Sequence, residues 1–552
     1  MVWPLGEPER RYTLSNERKQ NYLSGAAVLA ATVVIVKVIG AIYKIPLFNL
    51  LGDAGSANFN AAYQIYNLLL AVATGGIPAA VSRLVSASLA NGGRGQVRRY
   101  LRVGLVVFSA IGAVGTAAMF LWPQFFADLI GDPEIAHCIQ VLAPAVLFSC
   151  VIAMYRGYTQ GHSNMIPTAV SQILEVVGKL VVGLSVAWIL LRRHAPTPDV
   201  AAGAIFGVTV GLAAAVPVLV FYCRKHYRYA GLNSETPEEM LSPRATAWQM
   251  LKVSIPITLS ASLASIINVI DTRVIYDRLQ MGAHLRFEEA KILYGVYSKG
   301  ITFFNLPSAV IVPLSVSVVP AIAAALARGR RGEAGGVMES STRVLNLIAM
   351  PACAGMAILA GPIFDVFFPG SHPLGPLLLQ ILALGAYFLC SELVTTSFLQ
   401  ASGYERILLL TSVSGSLIKI AFDWILVGRP DVTIVGAPIG NVACYGFITA
   451  FNFIYLRVKL RERLRFGKMF ARPALCTALM GITAWGAHRL AIRIVQHLPV
   501  GPHMQALAAL AFAVLAAVIV YAVLVIALRA ITREDLMLLP KGEKIADKLK
   551  IK

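Results

Sequence analysis

Apolar runs of about twenty residues recur along the whole chain, parted by short polar and basic segments, and this rhythm more than any motif limits the fold. The stretch Val28 to Leu47, VLAATVVIVKVIGAIYKIPL, is typical. At about 1.5 Å per residue, twenty helical residues cross the roughly 30 Å hydrocarbon core of a bilayer. With 57% hydrophobic and 14% charged residues and a mean hydropathy of +0.70, the 552 residues cannot be two or three soluble domains, which would carry nearer a quarter charged residues. The expected fold class is an all-α polytopic membrane protein of about 14 transmembrane helices.

Breaker residues place six spans near 23–47, 59–83, 100–122, 136–157, 166–191 and 200–222, and six more near 249–272, 292–325, 344–365, 374–399, 407–427 and 434–456. Two further spans follow, near 473–492 and 504–528. The expected organisation is a cytoplasmic segment 1–22, an N-lobe 23–232, a connector 233–247, a C-lobe 248–457, a basic linker 458–472, helices 473–528 and a basic tail 529–552. The apolar run after residue 22 is too long for a signal-peptide core and reads as a retained first span.

The net charge of +20 points to nucleic acid only until its placement is considered. Of the 48 lysines and arginines, 32 fall in alternate segments on one side, eight in the loops of the other side and eight within spans. This asymmetry sets the N- and C-termini in the cytoplasm, with no nucleic-acid partner. The basic linker and tail are positioned to lie on anionic headgroups, or simply to set topology as solvated loops. Seven cysteines, none in a CxxC pair, support neither a disulfide framework nor a zinc site, and no metal or cofactor is expected.

The six-plus-six layout carries an internal echo. VSASLANGGRGQ (85–96) matches IAAALARGRRGE (322–333), and an offset of 240 pairs Phe148 with Phe388, Cys150 with Cys390, Gln160 with Gln400 and Lys179 with Lys419. GAIFG and GAPIG follow in the sixth and twelfth spans. Two duplicated bundles imply a pseudo-twofold axis along the membrane normal.

Charge inside the spans is the main functional signal, because a cation at the bilayer centre costs on the order of 3 kcal/mol. Lys37 and Lys44 stand seven residues apart, nearly two turns, and so share a helix face. Arg83 and Lys252 lie near inner span ends and Arg273 near an outer end, where snorkelling accounts for them equally well. Glu175 precedes Lys179 by four residues and Asp423 follows Lys419 by four, so each lysine has a neutralising partner on its own helix. Lys37 and Lys299 have no carboxylate three or four residues away, which makes them, with Lys44 and Arg83, candidates for binding an anion from outside the chain. Glu175, Lys179, Asp271, Glu392, Lys419 and Asp423 are candidates for ion coupling or gating.

No GxxxxGK[ST], HExxH or GxSxG motif occurs, so neither an ATP-driven pump nor a familiar hydrolase is supported and the expectation is a transporter, not an enzyme. Prolines and glycines interrupt several spans, as in GGIPAAVSR (75–83) and NLPSAVIVPLSVSVVP (305–320), a pattern compatible with helices that bend during transport.

The stretches KVIGAIYKIPL (37–47), YQIYNLLLAVATGGIPAAVSRLVS (63–86), YRGYTQGHSNMIPTAVSQILE (155–175) and NVIDTRVIYDRL (268–279) resemble the multidrug/oligosaccharidyl-lipid/polysaccharide exporter superfamily, in its stage V sporulation protein B and MurJ-like lipid II flippase branch. The resemblance implies two six-helix lobes around a central cavity and two terminal helices that form a groove for a polyprenyl tail. It also implies a monomeric flippase in the bacterial cytoplasmic membrane, moving an undecaprenyl-diphosphate-linked sugar to the outer leaflet. The implied cavity cations fall at Lys37 and Lys44 in the first span and Lys299 in the eighth. The second span departs from Gram-negative members, offering only Arg83. The expected substrate is lipid II, with a capsule, exopolysaccharide or spore-cortex repeat unit as the alternative. A coupling ion or the membrane potential would supply the energy. A cation-coupled multidrug antiporter is the competing transport class, disfavoured by the two extra spans. A membrane polymerase or glycosyltransferase is disfavoured by the short outer loops.

Overall fold

The computed structural model describes residues 7–91, 93–226, 240–460, 466–497, 499 and 501–532, so residues 233–239 of the connector and 533–552 of the basic tail lie outside the described residues. Among these residues the secondary structure is helical throughout. The helices are α1 (Glu7–Thr74), α2 (Ile77–Ala90), α3 (Arg94–Leu121), α4 (Pro123–Ile130), α5 (Ala136–Gly161), α6 (Ile166–Gly178), α7 (Leu184–Arg192), α8 (Thr197–His226) and α9 (Pro243–Asp277). They continue with α10 (Phe287–Phe304), α11 (Leu306–Ala327), α12 (Arg331–Ile358), α13 (Ala360–Phe367), α14 (Gly375–Ala401), α15 (Glu405–Leu426), α16 (Gly436–Leu460), α17 (Phe466–Val495) and α18 (Pro502–Ala527).

Among the described residues, twelve stretches are long and apolar enough to cross a membrane. One of them, Val34–Ala90, has 57 residues, about two crossings, and α17 is a 30-residue helix that falls outside the twelve. About fourteen helices therefore result, as the sequence leads one to expect. The polypeptide divides α1 at Gly52, whose φ of 68° and ψ of −167° suit glycine but not an L side chain. The stretch read as one span over 292–325 is two helices meeting at Asn305, with Pro307 in the first turn of α11, where its missing N–H costs nothing.

Two compact units emerge, the first comprising residues 1–51 and 58–273, the second residues 52–57 and 274–552. In the first, α8 carries Gly203, Gly207 and Gly211 at four-residue intervals along one stripe. A Cβ on Gly211 would stand 2.6 Å from the Glu175 carbonyl oxygen, and one on Gly207 would strike the Gly183 backbone. Small residues thus let α8 approach α6 and α7 backbone to backbone, the usual solution where lipid offers no hydrophobic drive between helices.

The sequence division assigns α9 to the second lobe, whereas its contacts up to Arg273 lie within the first unit. Gly75 and Gly76 make room for it, since a Cβ on either would strike Ala261 or the Ser254 carbonyl. The Gly76 N–H donates to Thr258 Oγ1 at 3.0 Å, and Tyr100 OH donates to Gln249 Oε1 at 2.7 Å.

In the second unit Ile311, Val318, Val344, Val394 and Phe398 form the buried centre of α11, α12 and α14. The C-terminal pair rests on α12 through polar ties. Asn346 Nδ2 donates to the Met469 carbonyl at 3.0 Å and Tyr521 OH donates to the Leu347 carbonyl at 2.7 Å. Asn346 is fully buried, and Tyr387 OH satisfies its side-chain oxygen at 2.9 Å.

Candidate functional site: buried charge clusters

In the first unit one carboxylate serves two cations. Lys179 donates to Glu175 Oε1 at 2.9 Å and to Tyr63 OH at 3.0 Å. On the other side Arg156 stands 3.6 Å from Glu175 Oε2 and its Nε donates to Ser171 Oγ at 2.8 Å. Lys179 opens a five-residue π-helical turn, Lys179–Gly183, of the kind that often marks functional positions in helices. The sequence identifies the Glu175–Lys179 pair as neutral. Arg156 makes the cluster net positive, and its place at the end of a span, in YRGYTQG, hides it among the basic residues that set topology.

In the second unit the repeat-related positions form two separate pairs. Lys419 donates to Asp423 Oδ2 at 2.8 Å, and Asp423 is completely buried. Under the 240-residue correspondence Thr396 takes the place of Arg156, and its hydroxyl donates at 2.9 Å to Glu392. Glu392 is therefore held by a hydroxyl and not by a cation.

Lys299 is also paired, through chain folding and not through its own helix. It donates at 2.5 Å to Asp53 Oδ1, and Asp53 accepts further bonds from Ser371 Oγ at 2.7 Å and the His372 N–H at 3.0 Å. The Phe368 ring centroid lies 5.2 Å from the ammonium. Its partner is 246 positions distant and so carries no i, i+3 or i, i+4 signature.

Lys37 is exposed and forms no hydrogen bond or ion pair among the described residues. Half-buried Lys44 lies 5.7 Å from the Phe48 ring centroid. Arg83 and Lys252 are exposed, Asp271 is half-buried, and the half-buried Arg273 donates to the Asp128 carbonyl. Lys37, Lys44, Arg83, Glu175, Lys179 and Asp271 belong to the first unit; Lys299, Glu392, Lys419 and Asp423 belong to the second.

The second unit also contains an apolar cavity of about 750 Å³ between α12, α14 and α17. Met350, Ile358, Leu384, Ile482 and Trp485 line it, with Tyr387 and Gln380 among its few polar edges.

A family model described as polysaccharide biosynthesis protein matches residues 22–326, and one described as MatE matches residues 294–425. Among curated proteins the chain is 26% identical over 435 residues to the uncharacterized membrane protein YabM of Bacillus subtilis (strain 168), covering 79% of this chain and 80% of that one. It is 25% identical over 446 residues to the lipid II flippase MurJ of the same organism, covering 77% and 82%. Among solved structures, lipid II flippase MurJ in an inward closed conformation superposes with a TM-score of 0.65 at 13% identity, covering 91% of this chain and 99% of that one. That likeness establishes a shared fold.

Proposed function

The chain belongs to the polysaccharide biosynthesis protein family, within the multidrug/oligosaccharidyl-lipid/polysaccharide exporter superfamily, and from that premise we propose that it is a flippase for a polyprenyl-diphosphate-linked oligosaccharide. Lipid II is the first substrate, carried from the inner to the outer leaflet by alternating access, with both termini in the cytoplasm. One observation carries the reading. The first unit holds Lys44, Arg156 and Lys179 half-buried within its spans, with Glu175 the carboxylate that pairs with Arg156 and Lys179, while Lys37 stands exposed on α1. Such a surplus of positive charge within the spans is costly in lipid unless an anion offsets it, and a diphosphate brings about two negative charges. Lysines meet phosphate as point charges without needing a fixed plane, so they suit a ligand that must enter and leave.

In the second unit Lys299 is the candidate cation for the anion, and Asp53 is paired with it there. The apolar cavity beside α17 offers a surface for the polyprenyl chain, whose burial is favourable per methylene. With the cytoplasm negative, outward movement of two negative charges is favoured by up to about 5 kcal/mol per 100 mV. Another capsule or spore-cortex repeat unit shares this chemistry and is the second reading. The match of residues 294–425 to the MatE model keeps cation-coupled drug export as the third, although the cation surplus opposes a cationic drug.

The test is complementation. A bacterium depleted of its lipid II flippase is given this chain, and lipid II accessible from outside is assayed beside a Lys37→Gln, Lys299→Gln variant. Rescue by the parent with loss in an equally expressed variant supports substrate and mechanism together. Failure of a correctly inserted parent removes lipid II as the substrate, and rescue by both proteins removes these lysines.

A further inference from the structure

Asp53 is the feature that the proposed transport reading leaves unused. It lies just after the break in α1, in the strap 52–57, and this strap belongs to the second unit although the chain on either side of it belongs to the first. Three groups hold its carboxylate: the Lys299 ammonium, the Ser371 hydroxyl and the His372 N–H. The pair is well shielded, with side-chain exposures of 4% for Lys299 and 13% for Asp53. Close backbone packing completes the seat, since a Cβ on Gly295 of α10 would collide with the Asp53 carbonyl oxygen.

A lysine this deep cannot stand without a counter-charge, because breaking a buried pair leaves an uncompensated ion. Any anion that takes Lys299 must therefore replace the carboxylate already there. We propose that Asp53 is a built-in stand-in for the substrate's diphosphate, and that arrival of the diphosphate at Lys299 displaces the carboxylate and releases the 52–57 strap from its seat. The inference rests on the flippase reading and adds a regulatory part to it. A ligand shifts an equilibrium only by its differential affinity for the two states. Here the difference is explicit, because Lys299 is satisfied by Asp53 with the strap seated and open to phosphate with the strap released. Asp53 acts as a positioning residue, and Ser371 and His372 are left to water when it departs.

The test uses the full-length protein in detergent with an Ala54→Cys reporter on the strap, where the seven native cysteines are buried and give little background. Maleimide labelling is followed with no lipid, with undecaprenyl diphosphate and with undecaprenol, while binding of each lipid is measured separately. The diphosphate should speed labelling at least tenfold and undecaprenol should not. Asp53→Asn should label fast without lipid and respond no further. Gly295→Ala, which leaves both charges in place and crowds the Asp53 backbone carbonyl, should also label fast. Diphosphate binding without faster labelling overturns the stand-in role while leaving the flippase reading intact. Slow labelling of Asp53→Asn and Gly295→Ala also overturns it. Absence of diphosphate binding by the parent overturns the flippase reading and this inference together.

Discussion

Replacing Glu175 by Gln removes the one negative charge shared by Lys179 at 2.9 Å and Arg156 at 3.6 Å. At an effective dielectric of about 20 the two attractions amount to roughly 6 and 5 kcal/mol before desolvation is subtracted. The net loss is smaller, on the order of 3–5 kcal/mol, and arises chiefly because two cations remain buried without a partner. Side-chain exposures of 15–21% leave little solvent to screen them. At about 1 °C per kcal/mol for a chain of 552 residues, the purified Glu175→Gln protein should melt about 3–5 °C below the parent. A cycle with Lys179→Met separates pairing from packing: removing the ammonium as well should recover a large part of the loss, because it removes an orphaned charge. A Glu175→Gln melt within about 2 °C of the parent would refute the reasoning, since the cluster would then be hydrated and not buried.

Truncating Asn346 to Ala should cost about 1–3 kcal/mol, seen as a lower melting temperature, because it unties α12 from the Met469 carbonyl and strands the Tyr387 hydroxyl. All seven cysteines are buried and free, so a maleimide should label the native protein slowly and reach seven equivalents only after denaturation. A fluorescent-protein fusion after Lys552 should glow and an alkaline phosphatase fusion there should be inactive, as the basic tail requires of a cytoplasmic end. The opposite pattern would invert the proposed topology.

Local arithmetic made much of this legible. The apolar runs expose the helices because a crossing helix must satisfy its own backbone and clothe itself in apolar side chains. The i, i+4 rule finds Glu175–Lys179 and Lys419–Asp423, both present as ion pairs. What the same rule misses depends on chain return. Asp53 meets Lys299 across 246 positions, and Arg156 meets Glu175 across a helical hairpin. The placement of α9 escapes for a similar reason. Its fit depends on Gly75 and Gly76, whose lack of side chains carries no hydropathy signal.

The two repeat-related lysines show what the fold demands at that level of each bundle. Under the 240-residue correspondence Gly415 stands where the first repeat has Glu175, and Gly183 stands where the second has Asp423. The acid has moved from four residues before the lysine to four after it, while the ammonium stays. Packing explains why each unit keeps only one arrangement. A Cβ on Gly183 would lie 2.7 Å from the Ala204 carbonyl oxygen, and one on Gly415 would lie 2.5 Å from Ile448 Cγ1. Transplanting the acid by Glu175→Gln with Gly183→Asp should therefore fail to restore the melting temperature lost in Glu175→Gln, and should lower it further. In the second unit Asp423→Asn with Gly415→Glu meets chiefly the Ile448 side chain, which can move, with the Cys444 carbonyl oxygen further off at 3.3 Å, so partial recovery over Asp423→Asn alone is expected there. Equal recovery in both units would show that charge alone, and not the room that glycine leaves, fixes the side of each lysine on which its carboxylate stands.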